Sequence, residues 1–147
     1  MKIVITDRQE IVETVSFIDT ELYVVFDGSY AFPCEKWTDF TVPLFTEWIN
    51  AFIYRDKNGF EWKFMDGDYR IRFTAQNDGT FDVICSGGGV CGRREYYKTT
   101  ETAEDIKNAL KAAISDFVGI LIGNKINNKH LLSDLTTKAS ILDNYKV

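Results

Sequence analysis

The densest chemistry in this chain lies in Ile84 to Tyr97, "ICSGGGVCGRREYY", where two cysteines bracket three glycines and two arginines follow. Gly87, four residues, Gly92 and a base approach the G-x-x-x-x-G-K-[ST] loop, whose main-chain amides cradle a phosphate. The agreement stops there. Arg93 stands where the lysine should, Arg94 replaces the hydroxyl that holds magnesium, and "REYYKTT" reads as a strand where that loop opens a helix. Zinc takes about four ligands, usually in close pairs. Here Cys85 and Cys91 stand without a second pair, leaving Cys34 and His130 as distant candidates. A cysteine nucleophile needs a base within reach, and the single histidine, His130, sits far along the chain. The stretch is therefore expected to turn the chain at Gly87–Gly89, with Cys85 as a small core residue.

The carboxylates are the next candidates. Asp66 and Asp68 flank Gly67, yet the further acids and the distant glutamate of a calcium loop are missing, and turn chemistry accounts for both. No pair among the 22 acids has a spacing or an aromatic setting that singles it out for acid–base catalysis. The acids are unevenly spread, however. Residues 1–47 carry a net charge of −6 and residues 48–147 a net of +1. That asymmetry suggests an acidic docking face for a basic partner, with Asp19, Glu21, Asp27, Glu35 and Asp39 as its contact residues.

The elements that must position these groups read in chain order. "IVETVSFIDTELYVVFDG" predicts a hairpin turning at Asp19-Thr20, which sets Phe17 opposite Leu22 and Val15 opposite Val24. In "FPCEKWTDFTVPLFTEWINAFIY" the period lengthens. Trp37, Phe40, Leu44, Phe45, Trp48, Ile49 and Phe52 recur at helical spacing, and Pro43 places the helix start near Thr41. In "FEWKFMDGDYRIRF" the Asp66-Gly67 turn sets Phe64 against Tyr69, Trp62 against Ile71 and Phe60 against Phe73, with Glu61 and Arg72 on the other face. The "NDG" turn at Asn77–Gly79 pairs Ala75 with Phe81, Phe73 with Val83 and Ile71 with Cys85, and a strand around Arg93–Lys98 completes the meander. Thr102 and Asp105 cap a second helix whose apolar stripe is Ile106, Leu110, Ala113, Ile114, Phe117, Val118 and Leu121. The three tryptophans, Trp37, Trp48 and Trp62, all fall on apolar faces.

These elements predict an α+β fold: an antiparallel sheet, made of the amino-terminal hairpin and the later meander, with two amphipathic helices packed on one face. The length of 147 residues suits a single domain, 1–147, in which 123–147 forms a weakly packed basic tail with a short helix. With 45% hydrophobic residues, no apolar run long enough for a bilayer and no signal peptide, the chain reads as a globular cytoplasmic protein with free thiols. Its net charge of −5 disfavours direct nucleic-acid binding.

The landmarks Phe32-Pro33, Trp37-Thr38-Asp39-Phe40 and Phe64-Met65-Asp66-Gly67, within the order hairpin, helix, meander and closing helix, resemble small bacterial immunity proteins of toxin loci. The resemblance spans roughly residues 10 to 122. It implies a non-enzymatic protein without a cofactor, which neutralises one cognate toxin by direct contact and brings no catalytic residue with it. The acidic first third suits a basic toxin domain. A small-molecule-binding or regulatory module is the alternative, and a hydrolase without a recognisable motif stands behind it.

Overall fold

A computed structural model describes residues 1–7, 19–89 and 92–145 of the chain. The fold is α+β, and the described residues form two four-stranded antiparallel sheets and three helices. The meander and Asp19–Phe26, the second half of the expected hairpin, are expected in one sheet and stand in separate ones.

The first sheet is arranged around β2 (Asp19–Phe26). Along one edge it pairs with β1 (Lys2–Thr6), setting Ile5 against Leu22 and Ile3 against Val24. Along the other it pairs in turn with β3 (Tyr30–Phe32) and β4 (Thr38–Phe40). Between those two, the amide of Leu22 donates to the carbonyl of Trp37. This corrects the hairpin turn expected at Asp19-Thr20. Both residues are in strand β2, facing Phe40 and Asp39, and both edges of β2 are already occupied at Leu22. Phe17 and Val15 lie outside the described residues.

The second sheet is the meander β5 (Gly59–Lys63), β6 (Tyr69–Ala75), β7 (Thr80–Gly89) and β8 (Gly92–Thr102). Its register is the one the turns predict: Phe60–Phe73, Trp62–Ile71, Glu61–Arg72, Ala75–Phe81, Phe73–Val83 and Ile71–Cys85 all face one another. Gly79 takes the left-handed φ of +83° that its turn requires. The glycine run does not turn. Gly87, Gly88 and Gly89 continue β7 and pair with Arg94, Arg93 and Gly92.

Helix α1 (Thr41–Ile53) starts where Pro43 predicts and buries Leu44, Phe45, Trp48, Ile49 and Phe52 against β5. Trp37 and Phe40, assigned to the same stripe, precede the helix, and Phe40 is largely exposed. Helix α2 (Ala103–Gly123) is capped by Thr102, whose hydroxyl oxygen accepts from the Asp105 amide at 3.0 Å, and it packs on β1. Helix α3 (Lys129–Asn144) is longer than the short helix expected and buries Leu131, Leu135 and Leu142 where it packs on α2.

The centre of the core is aromatic. The Trp48 and Trp62 rings stack at 4.9 Å, and each indole donates to a main-chain carbonyl, Trp48 to Lys63 at 2.9 Å and Trp62 to Trp48 at 3.0 Å. Two bulky polar-tipped side chains are thus buried without an unsatisfied donor. Phe45 of α1 meets Phe117 of α2 edge to face, which joins the helices of the two sheets into one apolar cluster.

Candidate functional site

Strand β2 sorts its side chains by parity. Thr20, Leu22, Val24 and Phe26 point into the core, so Glu21 and Tyr23 point away from it. Glu21 accepts from the Thr6 hydroxyl at 2.6 Å across the β1–β2 pair. Glu35 stands exposed in the connection between β3 and β4. The Tyr23 phenol is pushed above its usual pKa by burial first and then by the charges of Glu21 and Glu35. Asp27 lies just beyond the strand at φ +48°, exposed, accepting the Tyr97 hydroxyl. That hydrogen bond is the main reason the Tyr97 phenol is pushed up to about 12.

The five expected docking acids do not converge. Asp19 and Asp27 stand at opposite ends of β2, about 26 Å apart at some 3.3 Å per residue. Asp39 leaves the set altogether, since only 3% of it is exposed and its carboxylate accepts from the chain's own amides. Its Oδ1 takes the Phe40 N–H at 2.8 Å. Its Oδ2 takes Met65 at 3.0 Å, Asp66 at 3.3 Å and the Trp37 indole at 3.4 Å. A buried carboxylate with its lone pairs so engaged ties two sheets together and has nothing left for a partner.

Glu21, Asp27 and Glu35 share a further property. Among the described residues, none of them forms an ion pair with Lys or Arg, unlike Glu61 and Asp68 of the meander. There, Glu61 is ringed by Lys63, Arg70 and Arg72, while Asp68 is held by Arg70 at 3.2 Å and Arg93 at 2.9 Å. The Asp68 carboxyl sits below its ordinary pKa, with the Arg93 hydrogen bond the leading cause. The arginine that resembled a phosphate-loop base is thus already engaged.

A feature that sequence reasoning missed joins the sheets. Cys85 faces Tyr97 and Ser86 faces Glu95, so Tyr96 is the extra residue of a β-bulge. The bulge turns both Tyr96 and Tyr97 to the inner side. Tyr97 stacks on Tyr30 at 4.1 Å, and Tyr96 approaches Phe32 at 6.3 Å. Trp37 meets Tyr69 edge to face at 5.1 Å. The glycines make room for this seam. A Cβ on Gly87 would lie 2.8 Å from the Tyr69 ring and 2.9 Å from that of Tyr96, and one on Gly88 would lie 2.7 Å from the Asp68 carboxylate. The consecutive tyrosines beside a glycine run were the available signal, but strict alternation puts one of them outward.

The remaining reactive groups are scattered. Burial pushes the Cys85 thiol up to about 12, which keeps it protonated and unreactive. Cys34 is an exposed free thiol, His130 is exposed on α3, and Cys91 lies outside the described residues. Among the described residues no three His, Cys, Asp or Glu side chains come together as a metal site would need. The rings of Trp48, Trp62, Phe60 and Phe73 fill the space between α1 and the second sheet. Open grooves of about 580 Å³ lie between β1 and α2, and beside Met1, Asp27 and Glu101. No helix among the described residues is long and apolar enough to cross a membrane. Comparison with protein-family models, curated proteins and solved structures gave no match.

Proposed function

We propose that this chain is a non-enzymatic binding protein, an immunity protein that neutralises a cognate bacterial toxin by direct contact between its acidic first sheet and a basic toxin surface. The observation that carries the reading is the set of outward carboxylates, Glu21, Asp27 and Glu35, that form no ion pair with Lys or Arg among the described residues. Uncompensated surface charge of one sign does little for stability, but it speeds encounter with an oppositely charged partner and disfavours wrong ones. The resemblance of the Trp37–Phe40 and Phe64–Gly67 landmarks to immunity proteins supplies the identity of the partner. The seam beside these acids adds Trp37, half-buried, and Tyr96, 44% exposed, residue types that dominate binding hot spots.

The test is stopped-flow association with a candidate toxin domain taken from a neighbouring gene, at two salt concentrations. Reversing Glu21 and Glu35 to Lys should slow association about tenfold or more and flatten its salt dependence. Asp27→Lys, which also breaks the bond to Tyr97, is measured separately. Equal rates and equal salt slopes in wild type and variant would reject the acidic surface. Absence of any complex with that domain would reject the immunity reading itself.

A further inference from the structure

The outer edge of β8 is the longest free strand edge in the second sheet. β8 is terminal in the order β5-β6-β7-β8, it runs eleven residues, and Gly92 to Tyr96 are all exposed. Among the described residues no main-chain hydrogen bond engages this outer edge. A long exposed edge is a template for another strand unless something blunts it, and lysine, arginine and bulges are the usual protections. β8 carries all three, but in a self-complementary arrangement.

The bulge is what makes it so. In a regular strand, side chains alternate. Here Tyr96 and Tyr97 both face inward, so the alternation is mirrored about the step between them. Glu95 and Lys98 are both outward, Arg94 and Thr99 both inward, Arg93 and Thr100 both outward, as the cross-strand partners show. An antiparallel pair sets side chains of the same face opposite one another. Two copies of β8 paired about the Tyr96-Tyr97 step satisfy that rule at every position from Arg93 to Thr100. The same register places Glu95 of each copy opposite Lys98 of the other and sets tyrosine against tyrosine. Among the described residues neither Glu95 nor Lys98 has an ion-pair partner, while Arg93 is neutralised by Asp68. No like charges meet directly across the strands.

We propose that β8 is a homodimer interface, where a second copy of this chain adds antiparallel about Tyr96-Tyr97 and the two meanders become one eight-stranded sheet. An interface of eight residues per copy falls below the area typical of stable dimers, so association is reversible and concentration-dependent. The proposal does not rest on the toxin-binding reading, because it needs no partner but the protein itself.

Sedimentation equilibrium of the purified protein tests it. From low micromolar to millimolar concentration, the weight-average mass should rise from that of the monomer towards twice that value. Lys98→Glu sets two carboxylates opposite Glu95 and its symmetry mate, and should lower the association constant about tenfold or more. Exchanging both charges, Glu95→Lys with Lys98→Glu, restores opposite signs across the pair and should recover dimerisation. Both positions are exposed, and circular dichroism confirms that each variant is folded. A monomer at every concentration overturns the proposal. So does a dimer indifferent to Lys98→Glu, or one that the double exchange fails to rescue.

Discussion

The second sheet is four consecutive strands paired in sequence order, and its acids Glu61 and Asp68 are neutralised by arginines of β6 and β8. The first gathers β1, β3 and β4 around β2, closes through a buried carboxylate and gives Glu21, Asp27 and Glu35 no cation among the described residues. One sheet holds Glu61 and Asp68 in internal ion pairs and is locally determined, the other is assembled from distant pieces. The contrast separates what holds the molecule together from what faces outward, since charges satisfied internally add to structure while unsatisfied ones remain available.

If the second sheet is the structural half, the largest effect belongs to its core. Trp62→Ala removes a fully buried ring stacked on Trp48, together with its hydrogen bond, and should destabilise by about 3–5 kcal/mol in urea denaturation. An unchanged midpoint would break the comparison at its strongest point. Next comes Asp39→Ala, which leaves part-buried amides at the sheet junction without their acceptor. It should cost about 1–3 kcal/mol, although the residue sits in the acid-rich third. Gly87→Ala drives a methyl into the Tyr69 and Tyr96 rings and should cost about 1–3 kcal/mol if the seam is rigid. Reversal of Glu21 and Glu35 should move stability by no more than about 0.5 kcal/mol, and a larger loss would show that these acids belong to the fold.

The smallest effect is a pH dependence at Asp68. Its folded pKa lies below the ordinary value of 3.8, so its contribution is present above that value and fades as pH falls through the folded pKa. The difference in midpoint between wild type and Asp68→Asn should therefore be largest at neutral pH and vanish in strong acid. A difference that persists there would mean that packing over Gly88, and not the arginine pair, is what Asp68 supplies.

How much of this was legible in the sequence follows the same division. Asp66-Gly67 and Asn77–Gly79 set the meander's register, because a turn residue acts on its immediate neighbours and every strand after it inherits the alignment. Pro43 and the Thr102 cap fixed two helix starts for the same local reason. Asp19-Thr20 misled because the pairings that hold it in β2 come from Asp39 and Phe40, some twenty residues away. The glycines misled because the reason for their size is a tyrosine on another strand. Charge counting found the acid-rich third but could not separate Asp39, which faces amides, from Glu35, which faces water. Composition records how many carboxylates there are and says nothing of their surroundings.

Asp39 also has a consequence for motion. Its carboxylate reaches the Met65 and Asp66 amides only while the end of β4 and the turn between β5 and β6 are held together. Those two N–H groups belong to a loop with no ladder partner of its own, so they exchange with solvent whenever the sheets part, even if each sheet stays intact. Their hydrogen-exchange rates therefore read the separation of the two sheets, at a free energy below that of global unfolding. Amides at Ile71 and Val83, inside the meander, should exchange far more slowly. If all four exchanged at one rate, the sheets would open and close as a single cooperative unit.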